Sequence, residues 1–203
     1  MPDSSLTQAL ALADWQAFYT IVGSSAGALT GLTFVVITIS AERGEDTGSA
    51  STRLTGTRVF ITPTAVHFCA ALWVSALLCI PGQTAFSLAV LLGLTGAAGL
   101  FYCRSLFSRM LGFSAGAYKP FSSDWGWNVV LPMLAYLALL ATGFTLRYAV
   151  PASLYVMSGA VLLLLFIGIH NAWDVVVWMT TERHAHRERQ QQERERRQRE
   201  ERP

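Results

Sequence analysis

Residues 153–178 read S-L-Y-V-M-S-G-A-V-L-L-L-L-F-I-G-I-H-N-A-W-D-V-V-V-W, and Asp174 is the only Asp, Glu, Lys or Arg in the run. An α-helix rises about 1.5 Å per residue, so roughly 20 apolar residues cross about 30 Å of hydrocarbon. This stretch is long enough to do so, and it predicts a membrane-spanning helix. The same absence of charge recurs in the sequence that precedes it. No Asp, Glu, Lys or Arg lies between Asp14 and Glu42, between Arg58 and Arg104, or between Arg147 and Asp174. Across all 203 residues 52% are hydrophobic and 14% are charged, where a soluble domain carries roughly 25% charged residues. The mean hydropathy is +0.39. Composition therefore excludes an ordinary soluble domain and selects a polytopic membrane protein.

Five crossings are predicted, over 18–39, 59–80, 84–103, 129–146 and 153–178, making the chain an all-α membrane bundle. Residues 1–180 form the membrane domain and 181–203 a charged tail. Pro81-Gly82-Gln83 joins the second and third helices so closely that they must form an antiparallel hairpin, and the fourth and fifth turn as tightly around Pro151. Pro63 and Pro132 fall near predicted helix starts, where a missing N–H costs least. With the N-terminus outside, Arg43, Arg53, Arg58, Arg104, Arg109, Lys119 and the whole tail share one side, which the distribution of basic residues assigns to the cytoplasm. Arg147, at the end of the fourth helix, is the exception; its stem can lie along apolar surface while the guanidinium reaches the outer interface. Trp15, Tyr19, Tyr148 and Tyr155 mark the outer boundary, and Trp125, Trp127 and Trp178 the inner one. The expected location is a bacterial inner membrane or plasma membrane, and the first helix, with no basic residue ahead of it, is expected to be retained.

Outside the bilayer, Leu6, Leu10 and Ala13 recur at helical spacing and predict a short helix on the outer surface. Leu106, Phe107, Met110 and Leu111 predict a second interfacial helix on the inner side. Residues 41–57, rich in Gly, Ser, Thr and charge, read as a loop. The tail alternates Arg, Glu and Gln, with eight arginines nearly cancelled by six glutamates between Glu182 and Arg202. It is expected to extend the fifth helix through i,i+4 pairs or to stay disordered, and to bind neither nucleic acid nor anionic lipid strongly.

The first helix carries Gly23, Gly27 and Gly31 at successive i,i+4 positions, and the third carries Ala89, Gly93 and Ala97, with Gly96 and Gly99 nearby. Lipid tails are as apolar as leucine, so helix association depends on close backbone approach, which small residues permit. These six positions are the expected helix-packing interface, within one chain or between copies, and the first and third helices are the expected tightly packed elements. The hydroxyls of Ser24, Ser25, Thr30 and Thr33 suit either a narrow wet path or bonds back to their own helix carbonyls. The segment Gly23 to Val35, G-S-S-A-G-A-L-T-G-L-T-F-V, behind Trp15-Gln-Ala-Phe18, resembles the first helix of a loosely defined set of small bacterial multi-pass membrane proteins with no assigned activity. The resemblance covers about a tenth of the chain, implies a bacterial membrane protein and supplies no site residues.

Ionisable groups inside a span are costly and mark functional candidates. His170, Asn171 and Asp174 on the fifth helix form the strongest cluster, since His170 and Asp174 are one turn apart on one face. Such a pair can relay protons, coordinate a cation, act as a gate, or simply fix helix register. His67 on the second helix lies at similar depth and could converge with them if the two helices are neighbours. No spacing enforces a metal site, and no cofactor is expected. The three cysteines, Cys69, Cys79 and Cys103, all lie in apolar stretches and make no disulfide framework. No H-E-x-x-H, G-x-S-x-G or phosphate-binding loop is present, so no enzyme is expected. The leading expectation is a homo-oligomeric channel or transporter-like protein. The alternative is a membrane subunit or regulator that packs on a protein partner through its glycine-rich helices.

Overall fold

The computed structural model describes residues 12–42, 50–114 and 125–200, and these are almost wholly helical. Five α-helices are described: α1 (Gln16–Glu42), α2 (Ala50–Leu78), α3 (Ala85–Ser114), α4 (Leu131–Thr145) and α5 (Val150–Glu200). A π-helical turn, Gly126–Val130, leads into α4. Gln16–Thr38, Ala85–Ser108, Gly126–Thr145 and Val150–Val177 are each long and apolar enough to cross a membrane. In α2 the apolar stretch among residues whose side chains are described is Pro63–Leu78. Large apolar side chains lie on both the inside and the outside: Leu88, Leu92 and Leu164 are fully buried, while Phe86, Leu94, Phe101 and Phe166 are exposed. Helices apolar all round suit a lipid solvent.

Helices that follow one another in sequence are not always packed on one another. The main backbone contacts run α1 to α2, α2 to α5, α5 to α4 and α4 to α3. α2 and α3 share the tight turn at Pro81-Gly82, where Gly82 adopts φ +69°, a conformation that glycine tolerates without strain. Beyond that turn they meet mainly through long side chains, with Trp73 Nε1 donating to Thr95 Oγ1 at 3.2 Å. The first and third helices are therefore not a packed pair. α1 lies on α2, and α3 lies on α4.

Several boundaries differ from expectation. α2 begins at Ala50, so Pro63 is inside a helix and part of the predicted 41–57 loop is helical. A membrane helix tolerates an internal proline because neighbouring groups re-satisfy the freed carbonyl. α3 runs unbroken to Ser114, so the predicted inner surface helix is a continuation of the third span, with no proline or turn to separate the two. α5 runs to Glu200, which resolves the tail as a helical extension. Pro151 sits in the first turn of α5, where its missing donor is not needed, and Thr145 Oγ1 meets Ser153 Oγ across the α4–α5 turn at 2.9 Å. Leu6, Leu10, Arg43 and Lys119 lie outside the described residues.

The hydroxyls of the first span bond backward. Ser25 donates to Ile21 O, Thr30 to Ala26 O and Thr33 to Leu29 O, at 2.8 to 2.9 Å. At one end of the bundle Trp15 packs edge-on against Tyr155 of α5, with ring centroids 4.9 Å apart. Arg147 is exposed and its guanidinium lies 4.9 Å from the Tyr148 ring centroid.

Candidate functional site

His170, Asn171 and Asp174 sit in the C-terminal part of the candidate span Val150–Val177, and the next charged residue along α5 is Glu182. One helical turn separates His170 from Asp174, and Nδ1 of the imidazole lies 3.3 Å from Oδ2 of the carboxylate. That is ion-pair distance, though Nδ1 lacks hydrogen-bond alignment with any partner. The Asp174 side chain is 51% exposed and that of His170 33%, so the pair lies on the outer surface of the protomer. The π-helical turn brings Trp127 face to face with His170, with centroids 3.9 Å apart and planes within 10°. Adding a residue to a helical turn re-aims the side chains around it, and such turns are frequent at functional sites. Here the Leu131 N–H reaches Gly126 O, one residue beyond the α-helical partner. The imidazole thus lies between the indole face and the carboxylate. Asn171, next to His170 in the sequence, is buried at 4% exposure, and its amide nitrogen has no hydrogen-bond partner.

His67 does not join this cluster. It is fully buried, with Nδ1 3.1 Å from the Tyr136 hydroxyl on α4. The Tyr102 ring of α3 stands edge-on at 6.4 Å. Nε2 of His67 is buried without a partner. The polar residues therefore divide into two places: a half-exposed pair on α5 braced by Trp127, and a buried node among α2, α3 and α4. Among the described residues no three His, Cys, Asp or Glu side chains stand together as a metal site.

No protein-family model, curated protein or solved structure matches this chain. The chemistry of its sites rests on their own geometry.

The six expected packing positions fall unevenly. A Cβ on Gly23 would stand 2.9 Å from Ser75 Cβ, one on Gly27 would meet Leu72 at an ordinary 3.9 Å, and one on Gly31 would meet nothing within 4 Å. On α3 the backbone at Ala89 and Gly93 lies against α4, since a Cβ on Gly143 would come within 2.8 Å of Ala89 O and 2.9 Å of Gly93 N, but a Cβ on Gly93 itself would meet nothing within 4 Å. Ala97 is exposed. The tightest approaches are elsewhere. Gly96 faces the Leu140 backbone, with 2.6 Å from its Cβ position to Leu140 N; Gly99 gives room to the Tyr136 ring; and Gly168 of α5 gives room to Phe68 of α2. Reading by spacing missed Gly143, Gly168, Tyr136 and the bracing role of Trp127. Only Gly96 and Gly99 carried a signal, as small residues beside the third-helix stripe.

Proposed function

We propose that this integral membrane protein crosses the bilayer five times and works as a homo-oligomeric channel or transporter-like protein. His170 and Asp174 line or gate its path. The observation that carries the reading is the exposure of this pair in the C-terminal part of an otherwise apolar span. A carboxylate facing lipid is costly, and ionisable side chains in spans face a bundle interior or water. The interior of one protomer is filled by apolar side chains such as Leu139, Leu154, Met157 and Leu164, so a second copy would supply the opposite wall. α2 would be the fifth crossing, because its helix of 29 residues extends roughly 43 Å, more than the hydrocarbon needs. The distribution of basic residues favours the N-terminus outside and the tail in the cytoplasm. The mass of the purified protein in detergent tests the assembly: an oligomer is expected, and a single copy under conditions that preserve the fold contradicts it.

A second reading, a non-transporting membrane subunit or regulator that docks a partner through its glycine-rich helices and contacts it with the tail, is favoured by one observation. α5 continues as helix beyond Val177 to Glu200, about 34 Å of highly charged rod. Under this reading the protein carries no flux, and removing residues 182–203 weakens a complex with that partner.

A further inference from the structure

α1 is pressed on its neighbours at one end, where Trp15 packs on Tyr155 and Gly23 on Ser75. A Cβ on Gly27 would meet Leu72 at an ordinary 3.9 Å, and one on Gly31 would meet nothing within 4 Å among the described residues. Beside this looser stretch is a crevice of about 210 Å³ between α1, α2 and α5. Leu29, Thr33, Val36, Phe68, Ala172 and Val176 are among its lining residues. Val36 and Val176, at one end of the lining, each stand six residues before the next charged residue of their helix, Glu42 and Glu182.

We infer that the crevice seats one acyl chain of a membrane phospholipid, whose headgroup stays beyond the Val36 and Val176 end. The lining offers nothing to a polar ligand. Thr33 gives its hydroxyl to Leu29 O at 2.8 Å, and Thr64 is also engaged. An apolar cavity without polar partners does not hold water, and left empty its walls forfeit their dispersion contacts. A second protein is the wrong size. A helix is about 10–12 Å across, whereas a Cβ on Gly27, one turn before Gly31, would already be in van der Waals contact. Nine residues line it, against roughly 20–30 on each side of a specific protein interface. The chain would lie along the crevice and would hold α1 at its distance from α5.

The test uses the full chain reconstituted with phosphatidylglycerol carrying a photoactivatable diazirine in its acyl chain. Labelling is mapped by peptide mass spectrometry, in the parent and in Ala172→Leu and Thr33→Leu, each of which fills the crevice. The expected result is preferential labelling of crevice residues over the exposed Phe86 and Phe101, reduced several-fold in both variants. The parent alone also decides the matter if the variants fail to fold, because uniform labelling of crevice and exposed positions overturns the assignment. So does labelling that survives crevice filling in folded variants, or a crevice peptide found cross-linked to a second copy. None of these outcomes depends on whether the protein conducts ions.

Discussion

The hydroxyl of Tyr136 stands 3.1 Å from Nδ1 of His67, and the Tyr136 ring occupies the space that a side chain at Gly99 would need. Three helices thus meet around one buried hydrogen bond. The absence of a side chain on α3 lets an α4 ring lie flat enough to reach an α2 imidazole. Hydrogen bonds across spans are modest in net terms, but an orphaned polar group in this setting has no water to turn to.

Gly99→Ala is expected to be among the most damaging single-methyl additions. The ring it displaces is fully buried, and overpacking of this kind costs about 1–3 kcal/mol. A lowered unfolding midpoint in detergent checks it.

Along the first-helix ridge the expected effect falls with distance from the turn. Gly23→Ala forces Ser75 aside and destabilises, Gly27→Ala adds an ordinary contact, and Gly31→Ala meets open space. In a monomer Gly31→Ala is neutral or stabilising by up to about 1 kcal/mol, through the higher helix propensity of alanine. A loss of stability at Gly31 that appears only in the assembled protein would place that face at a subunit interface.

Tyr136→Phe leaves both ring nitrogens of His67 without a partner and is expected to cost about 1–3 kcal/mol. His67→Leu combined with Tyr136→Phe removes the polar group along with its partner. The double variant is expected to be less damaging than the sum of the two singles, a coupling read from the four unfolding midpoints.

Trp127→Leu keeps the π-helical turn apolar and removes the stack on His170. The fold is expected to survive, since Trp127 is only half-buried. Flux through the protein and its pH dependence are expected to change if the imidazole orientation matters for conduction; an unchanged profile in a folded variant would make the stack merely structural.

The apolar spans were legible because a span needs only composition and length: the runs bounded by Asp14 and Glu42 and by Arg147 and Asp174 could be read without knowing any neighbour. Neighbour relations were not legible. The i,i+4 glycines of the first helix looked like one continuous interface, yet only Gly23 is pressed, and a Cβ on Gly31 would meet nothing within 4 Å among the described residues. Gly168 is a lone glycine in a leucine-rich run, and nothing local says that Phe68 will lie on it. The pairing of His170 with Asp174 followed from helical periodicity alone. The separation of His67 from that pair depended on α4 lying where its Tyr136 could reach the imidazole. Pro63 misled for a related reason: a proline is a boundary signal in water, and in an apolar bundle it is tolerated inside a helix.

Proton and ion flux into liposomes, with the parent and Asp174→Asn measured side by side from about pH 5 to 8, the range in which histidines commonly titrate, tests the proposed path most directly. A conducting oligomer predicts flux above protein-free liposomes for the parent and a changed rate for Asp174→Asn at equal amounts of folded, assembled protein. No flux from the folded, assembled parent, or identical flux from the two proteins, would contradict a path at His170 and Asp174.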